Sequence, residues 1–298
     1  MAQLTRLDDR SAREVVGALG LELESWQALP AHGTVNSNFH LRASGAEWFL
    51  RVNEGKRESD VRAEAELVRQ LAARGVPTPE PRGVVPFGEK WVTLFPWIAA
   101  REARALDDVE AAGEALGRIH ATRLDGAGLP NHYTVDELER RLEGFSRDAR
   151  FAEVVPKLAR QLVAARKRAR GDEGLIHQDL FPDNLLVGDQ GELRAVLDFE
   201  QATRGPLLYD QAVALNAWCW DGVTLDRGAA ERLMAGYFKR VPGPIDRVLL
   251  LEECRLAAAR FTITRITDVF LRPEVDEDLR RRKDWREYAR RLDYWLGA

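Results

Sequence analysis

The chain has 298 residues, 45% hydrophobic and 31% charged, which excludes a disordered polymer and leaves room for two lobes of a globular protein. A net charge of −4 gives no overall nucleic-acid footprint, and the short basic runs Arg166–Arg170 and Arg280–Lys283 sit beside acidic residues on expected helix faces. Two cysteines in apolar contexts offer neither a disulfide framework nor metal spacing, the first residues lack a signal-peptide layout, and no apolar run reaches bilayer length; the expectation is a cytoplasmic protein with no membrane or nucleic-acid partner.

Taken in order, Ser11-Ala-Arg-Glu14 reads as a capping box that opens a helix to Leu19, stopped at Gly20. Alternation over 21–26 predicts a half-exposed strand. The loop Gly33-Thr-Val-Asn36-Ser37-Asn38-Phe39 runs into a strand over 39–42, a turn at Ser44-Gly45 and a strand over 48–53. A strand, small polar loop and strand could fold over nucleotide phosphates, with Asn36, Ser37 and Asn38 at the loop; a plain hairpin turn is the alternative. Arg51 lies in the second strand, and Ser59 or Asp60 caps a helix to Arg74 that carries Glu64 and Glu66. A phosphate-gripping cation paired with a helix carboxylate suggests Arg51 with Glu64, or alternatively Glu66. Two further strands flank Phe87-Gly88, and 94–98, with Phe95, Trp97 and Ile98, is the expected hinge where an adenine ring meets backbone groups. The predicted boundary divides a nucleotide-binding lobe, 1–95, from a catalytic and acceptor-binding lobe, 96–298.

From Asp107 the pattern turns helical: a helix capped by Asp107-Asp108 that ends near His120, a capping box at Thr134-Val-Asp-Glu137, and helices over 153–170, 209–220, 226–240, 245–269 and 285–296. His120 reads as a packing or capping histidine. Between these helices, Leu185–Val187 and 193–197 flank a Gly/Asp-rich turn and read as a hairpin, preceded by Leu175-Ile176. The overall expectation is an α+β, two-lobed fold, β-rich first and α-rich second.

The chemistry concentrates between Gly174 and Glu200. An H-x-D-x-x-x-x-N sequence, His177 to Asn184, is followed by Asp198 at the end of an apolar strand, the arrangement used for phosphoryl transfer from ATP. Mg2+ takes oxygen ligands, so Asn184 and Asp198 with phosphate oxygens make a reasonable site. Asp179 can orient an acceptor hydroxyl and take its proton. His177 is expected to brace the loop, and Asp210 to cap a helix or hold that loop.

With these residues in hand, the chain resembles the aminoglycoside phosphotransferase and choline kinase-like superfamily, a branch of the protein-kinase-like fold, and within it the bacterial homoserine kinases. The likeness rests on Gly33–Phe39, on His177-Gln-Asp179-Leu-Phe-Pro-Asp183-Asn184, on Leu208-Tyr209-Asp210 through Leu215-Asn216-Ala217-Trp218-Cys219, and on Arg260–Arg265 with Asp268. It implies transfer of the ATP γ-phosphoryl group to the side-chain hydroxyl of L-homoserine, with Asp179 catalytic and Asn184 and Asp198 holding Mg2+. Glu200, where an aromatic residue is common, and Arg51, where Lys is common, are departures. Homoserine presents a carboxylate and an ammonium. Arg260 or Arg265 is expected at the first, Asp183 or Glu200 at the second, with Asn216 nearby. An ion pair of Arg265 with Asp268 is the plain alternative. Rival expectations are a kinase of another hydroxylated amine, such as choline or an aminoglycoside, and a catalytically silent nucleotide-binding module. A monomer or homodimer is expected.

Overall fold

The computed structural model describes residues 5–29, 36–126, 129–169 and 171–297. The chain divides into two compact units: Met1–Arg101 with Arg194–Glu200, and Glu102–Leu193 with Gln201–Ala298. The predicted boundary left 194–200 with the second lobe. These residues group instead with the first, where the Val196 amide donates to the Pro77 carbonyl at 2.7 Å.

The first unit is built from α1 (Asp9–Gly17), β1 (Leu23–Ala28), β2 (Ser37–Ala43), β3 (Ala46–Asn53), α2 (Glu58–Ala73), β4 (Gly83–Phe87) and β5 (Lys90–Pro96). The strands form one antiparallel sheet in the order β1-β2-β3-β5-β4. Ser44 and Gly45, both at positive φ (49° and 75°), make the tight β2–β3 turn whose twist suits a two-residue hairpin. Period-2 alternation then sorts the faces. Phe39, Leu41, Ala43, Leu50 and Val52 join Ala12, Val15 and Val16 of α1 in one core, so Arg51, between Leu50 and Val52, faces the other way. Two predicted caps are corrected. Asp8, not Ser11, caps α1 by accepting from the Ser11 amide at 2.7 Å, and α2 begins after Arg57 with no side-chain cap. Gly33, Thr34 and Val35 of the predicted phosphate loop lie outside the described residues.

A two-residue strand β6 (Arg101–Glu102) lies where the first unit ends and the second begins, and the second continues with α3 (Val109–Ala121), α4 (Val135–Glu143) and α5 (Val155–Lys167). Thr134 caps α4 as predicted, accepting from the Glu137 amide at 3.2 Å. Then come β7 (Glu173–Ile176) and β8 (Leu185–Val187); a turn closed by the Gly188 amide on the Glu192 carbonyl at 2.9 Å leads on to β9 (Leu193–Val196), of which all but Leu193 belongs to the first unit. The sequence reading missed β10 (Thr203–Pro206), whose Arg-Gly-Pro composition hides a strand; it pairs antiparallel with β7, Ile176 opposite Thr203. The helices α6 (Leu207–Trp218), α7 (Arg227–Phe238), α8 (Arg247–Arg265), α9 (Glu277–Arg282) and α10 (Trp285–Gly297) complete it, with one π-helical turn at Ile266–Phe270. From Leu256 to Thr264 every residue of α8 is buried, which makes it the central helix of this unit.

Candidate active site

The first unit carries a charge cluster around Arg51. Arg51 Nη2 lies 2.6 Å from Glu64 Oε1 on α2, and both side chains are buried. The guanidinium also sits 5.4 Å from the Phe95 ring centroid, and Nη1 is 3.4 Å from Asp198 Oδ1. The alternative partner, Glu66, is on the exposed face of α2 beside Arg69 and Gln70. Burial disfavours the Arg51 charge, but Glu64, Asp198 and Glu200 outweigh it and raise its pKa.

Lys56, which the sequence reading missed, pairs with Glu200 and lies 3.7 Å from Glu64 Oε2. Asn36 Nδ2 donates to Glu200 at 3.3 Å. Glu200 is therefore committed to a lysine and an amide, which corrects its expected role at the acceptor ammonium. Burial raises its pKa, yet Lys56 and Arg51 together lower it.

Asp198 adopts a left-handed backbone (φ 58°), a conformation that Asp tolerates better than most residues. Burial and the Glu200 carboxylate push its pKa up to about 7 against the pull of Arg51. Three carboxylates against two cations leave an excess of negative charge here, which a bound divalent cation would relieve. Asp198 thus offers the hard oxygen donor that Mg2+ takes.

Other expected nucleotide contacts are redistributed. Ser37 Oγ donates to Glu54 at 2.9 Å and accepts from the Thr5 amide at 3.0 Å, so it is occupied by the chain itself and not free for phosphates. Asn38, on β2 opposite Arg51, has a buried Oδ1 with no partner among the described residues. Phe95 lies within β5, and the Trp97 amide donates to the Glu47 carbonyl at 3.1 Å, extending that ladder. Of the segment 94–98 expected as a hinge, all but Ile98 is thus bound into the sheet. Pro96 is tolerated because the β4 pairing stops at Leu94.

The second unit carries the loop 177–184. The amides of His177 and Gln178 donate to Asp210 Oδ2 and Oδ1 at 2.7 and 2.8 Å, and His120 Nε2 lies 3.2 Å from the same carboxylate. Asp210 thus holds the loop from the first turn of α6, and His120 is a packed residue bridging to Tyr237. His177 braces from within, its Nδ1 accepting from the Asp179 amide at 3.3 Å. Asn184, at the end of a 3-10 turn, donates from Nδ2 to the Asp179 carbonyl at 2.8 Å, which leaves its amide oxygen as the end available to a hard cation. Burial raises the Asp179 pKa, while Arg260, Lys283 and His177 pull it down; the net direction is upward.

Three acceptor expectations change. Asn216 is fully buried: Nδ2 donates to the Ala212 and Cys254 carbonyls (2.9 and 3.2 Å) and Oδ1 accepts from Trp295 Nε1 at 3.0 Å. It ties α6 to α8 and α10 and touches no ligand space. Arg265 pairs with Glu287 at 2.5 Å and the Asp284 carbonyl at 3.0 Å, while Asp268 pairs with Arg141 at 2.7 Å, so neither a free Arg265 nor an Arg265–Asp268 pair exists. Arg260 is 1% exposed and donates to Gln178 and Gln201. Asp183 is exposed. Lys283 is half-buried, acts electrostatically on Asp179 and makes no ion pair among the described residues; in the sequence it stood only as the end of a basic run expected on a solvated helix face.

A catalytic-loop carboxylate, a neighbouring asparagine, and an Arg–Glu pair beside an aspartate are the parts of a phosphoryl-transfer enzyme. The family model described as "Phosphotransferase enzyme family" (APH) matches residues 26–244, and the chain belongs to that family. Curated relatives of the chain are named homoserine kinase. That of Chelativorans sp. is 32% identical, covering 89% of this chain and 86% of its own; that of Methylobacterium radiotolerans is 31% identical, covering 100% and 97%. Among solved structures, a spectinomycin phosphotransferase in complex with ADP and spectinomycin superposes with a TM-score of 0.73 at 12% identity, covering 98% of this chain and 99% of that one. A Streptococcus pneumoniae choline kinase gives 0.71 at 14% identity, covering 97% and 99%. The expected α+β, protein-kinase-like fold is what these neighbours share, and the protein is a kinase of this family. Among the described residues no helix is long and apolar enough to cross a membrane.

Proposed function

We propose that the protein transfers the γ-phosphoryl group of ATP to the side-chain hydroxyl of L-homoserine, a cytoplasmic step toward threonine. The reaction class is carried by one observation: Asp179 is held on a loop fixed by Asp210 and His177 and bonded through its carbonyl to Asn184. The choice of alcohol is supported by relatives that bear the homoserine kinase name along nearly their whole length.

In this reading Asp179 orients the hydroxyl and accepts its proton as the new P–O bond forms and the bond to the ADP oxygen breaks. Its raised pKa makes it a better base than a solvated aspartate. Asn184 and Asp198 are the residues that would hold Mg2+, which neutralises charge on the phosphate oxygens when bound. Arg51, braced by Glu64, serves the α/β-phosphates. Lys283 takes the acceptor carboxylate, since Arg260 and Arg265 are engaged internally, and Asp183 remains the candidate for the ammonium.

Incubation with Mg-ATP and L-homoserine, followed by phosphorus NMR, should show a phosphomonoester of homoserine. An unchanged homoserine pool beside active phosphorylation of another alcohol would overturn the assignment. Lys283→Ala should raise the homoserine KM by about tenfold with kcat nearly unchanged.

A further inference from the structure

We propose that Arg260 is a positioning residue for the catalytic loop, locking the Gln178–Asp179 backbone and facing the Asp179 carboxylate, and does not bind the acceptor. The inference rests on Asp179 being the reactive carboxylate. Arg260 emerges from the buried central stretch of α8 with its guanidinium between two rings, 3.8 Å from the Tyr133 centroid and 3.9 Å from that of Phe261. Its faces are covered and both terminal nitrogens are engaged. Nη1 donates to the Gln178 carbonyl at 3.1 Å and Nη2 to Gln201 Oε1 at 2.7 Å. Its Nε has no acceptor, and at 1% exposure no ligand-sized group reaches it.

Two physical facts explain the arrangement. Gln178 sits at φ 66°, a left-handed conformation that a residue with a Cβ keeps only when its surroundings hold it. The hold comes from both sides: Asp210 on α6 takes the Gln178 N–H at 2.8 Å, and Arg260 on α8 takes its C=O. That turn aims Asp179. A buried guanidinium also needs a counter-charge. Gln178 and Gln201 offer only neutral oxygens, and the one carboxylate within 4 Å among the described residues is Asp179, with Oδ1 3.7 Å from Nη1. The charge of Arg260 is thus directed at the reacting carboxylate itself.

The test uses purified full-length Arg260→Met, Arg260→Lys and Gln201→Ala with Mg-ATP and L-homoserine. Should homoserine not be the acceptor, the same series runs on whichever alcohol is phosphorylated. Arg260→Met should lower kcat by about a hundredfold while the ATP and acceptor KM values stay within about threefold, because a misaimed base costs rate and not binding. Arg260→Lys should recover about a tenth of the wild-type kcat, and Gln201→Ala, which frees one edge of the guanidinium, should lose about fivefold. Hydrogen exchange should speed up across 177–180 in the methionine variant. That arm reads the loop directly, so it decides the proposal even if wild-type enzyme phosphorylates no alcohol. A tenfold rise in acceptor KM at unchanged kcat would make Arg260 a substrate clamp, and unchanged kcat or unchanged loop exchange would remove the positioning role. Should the methionine variant fail to fold, Arg260→Lys and Gln201→Ala carry the same kcat-against-KM decision.

Discussion

Asp210 accepts hydrogen bonds from two successive loop amides and lies within hydrogen-bond reach of His120, yet it is fully buried. Burial alone would raise its pKa. Hydrogen bonding and charge from His120 and the His177 segment win, and hold it below the ordinary 3.8. A depressed native pKa contributes stability that is complete above the unfolded value and fades as pH falls through the lower native one. The unfolding free energy of wild type should therefore exceed that of Asp210→Ala by about 3 kcal/mol near neutrality. The gap should shrink as pH drops below 3.8. Urea denaturation of both proteins across that range checks it, and a gap independent of pH would contradict it. Asn216 makes the opposite kind of prediction. Its four polar contacts, including its carbonyl with Arg291, are all internal. Asn216→Leu should cost about 2 kcal/mol of stability with the acceptor KM unchanged, read by denaturation and steady-state kinetics.

At the scale of elements, α3 and α7 approach so closely that a side chain on Gly113 has no room. A Cβ there would lie 1.9 Å from the Leu233 carbonyl oxygen, and one on Gly236 would lie 2.3 Å from that of Glu110. Gly113→Ala should lower stability by about 3 kcal/mol through forced separation of the helices, a loss measurable by urea denaturation. Elements with strong local signals were legible in the sequence: the β2–β3 hairpin from Ser44-Gly45 and α4 from Thr134. Elements and contacts set by distant packing were not. β10 holds a glycine and a proline and exists because β7 offers it a ladder. Lys56 follows a strand with no motif around it, and its partners, Glu64 and Glu200, come from the next helix and from far along the chain. Asn216 and Arg260 were expected at the acceptor because they lie in segments that carry the family resemblance. In the folded chain both satisfy buried backbone instead, which a single sequence does not reveal.

Across the whole molecule, the sheet-rich unit includes a segment from far along the chain, 194–200, which brings Asp198 and Glu200 beside Arg51 and Lys56. The helical unit supplies the loop that carries Asp179 and Asn184. If Asp198 and Asn184 hold the metal, excess EDTA should abolish turnover and Mg2+ should restore it, as read by ADP release. The order of residues from His177 to Asp198 gave the reaction class. The acceptor was less legible, because the charges that surround an acceptor come from separate helices. Homoserine as the acceptor is most directly tested by comparing kcat/KM for Mg2+-dependent ADP release with L-homoserine, L-serine, choline and an aminoglycoside. Homoserine should exceed every other acceptor by about a hundredfold or more, and Asp179→Asn should remove the activity. A homoserine value no higher than that for choline or the aminoglycoside would contradict it.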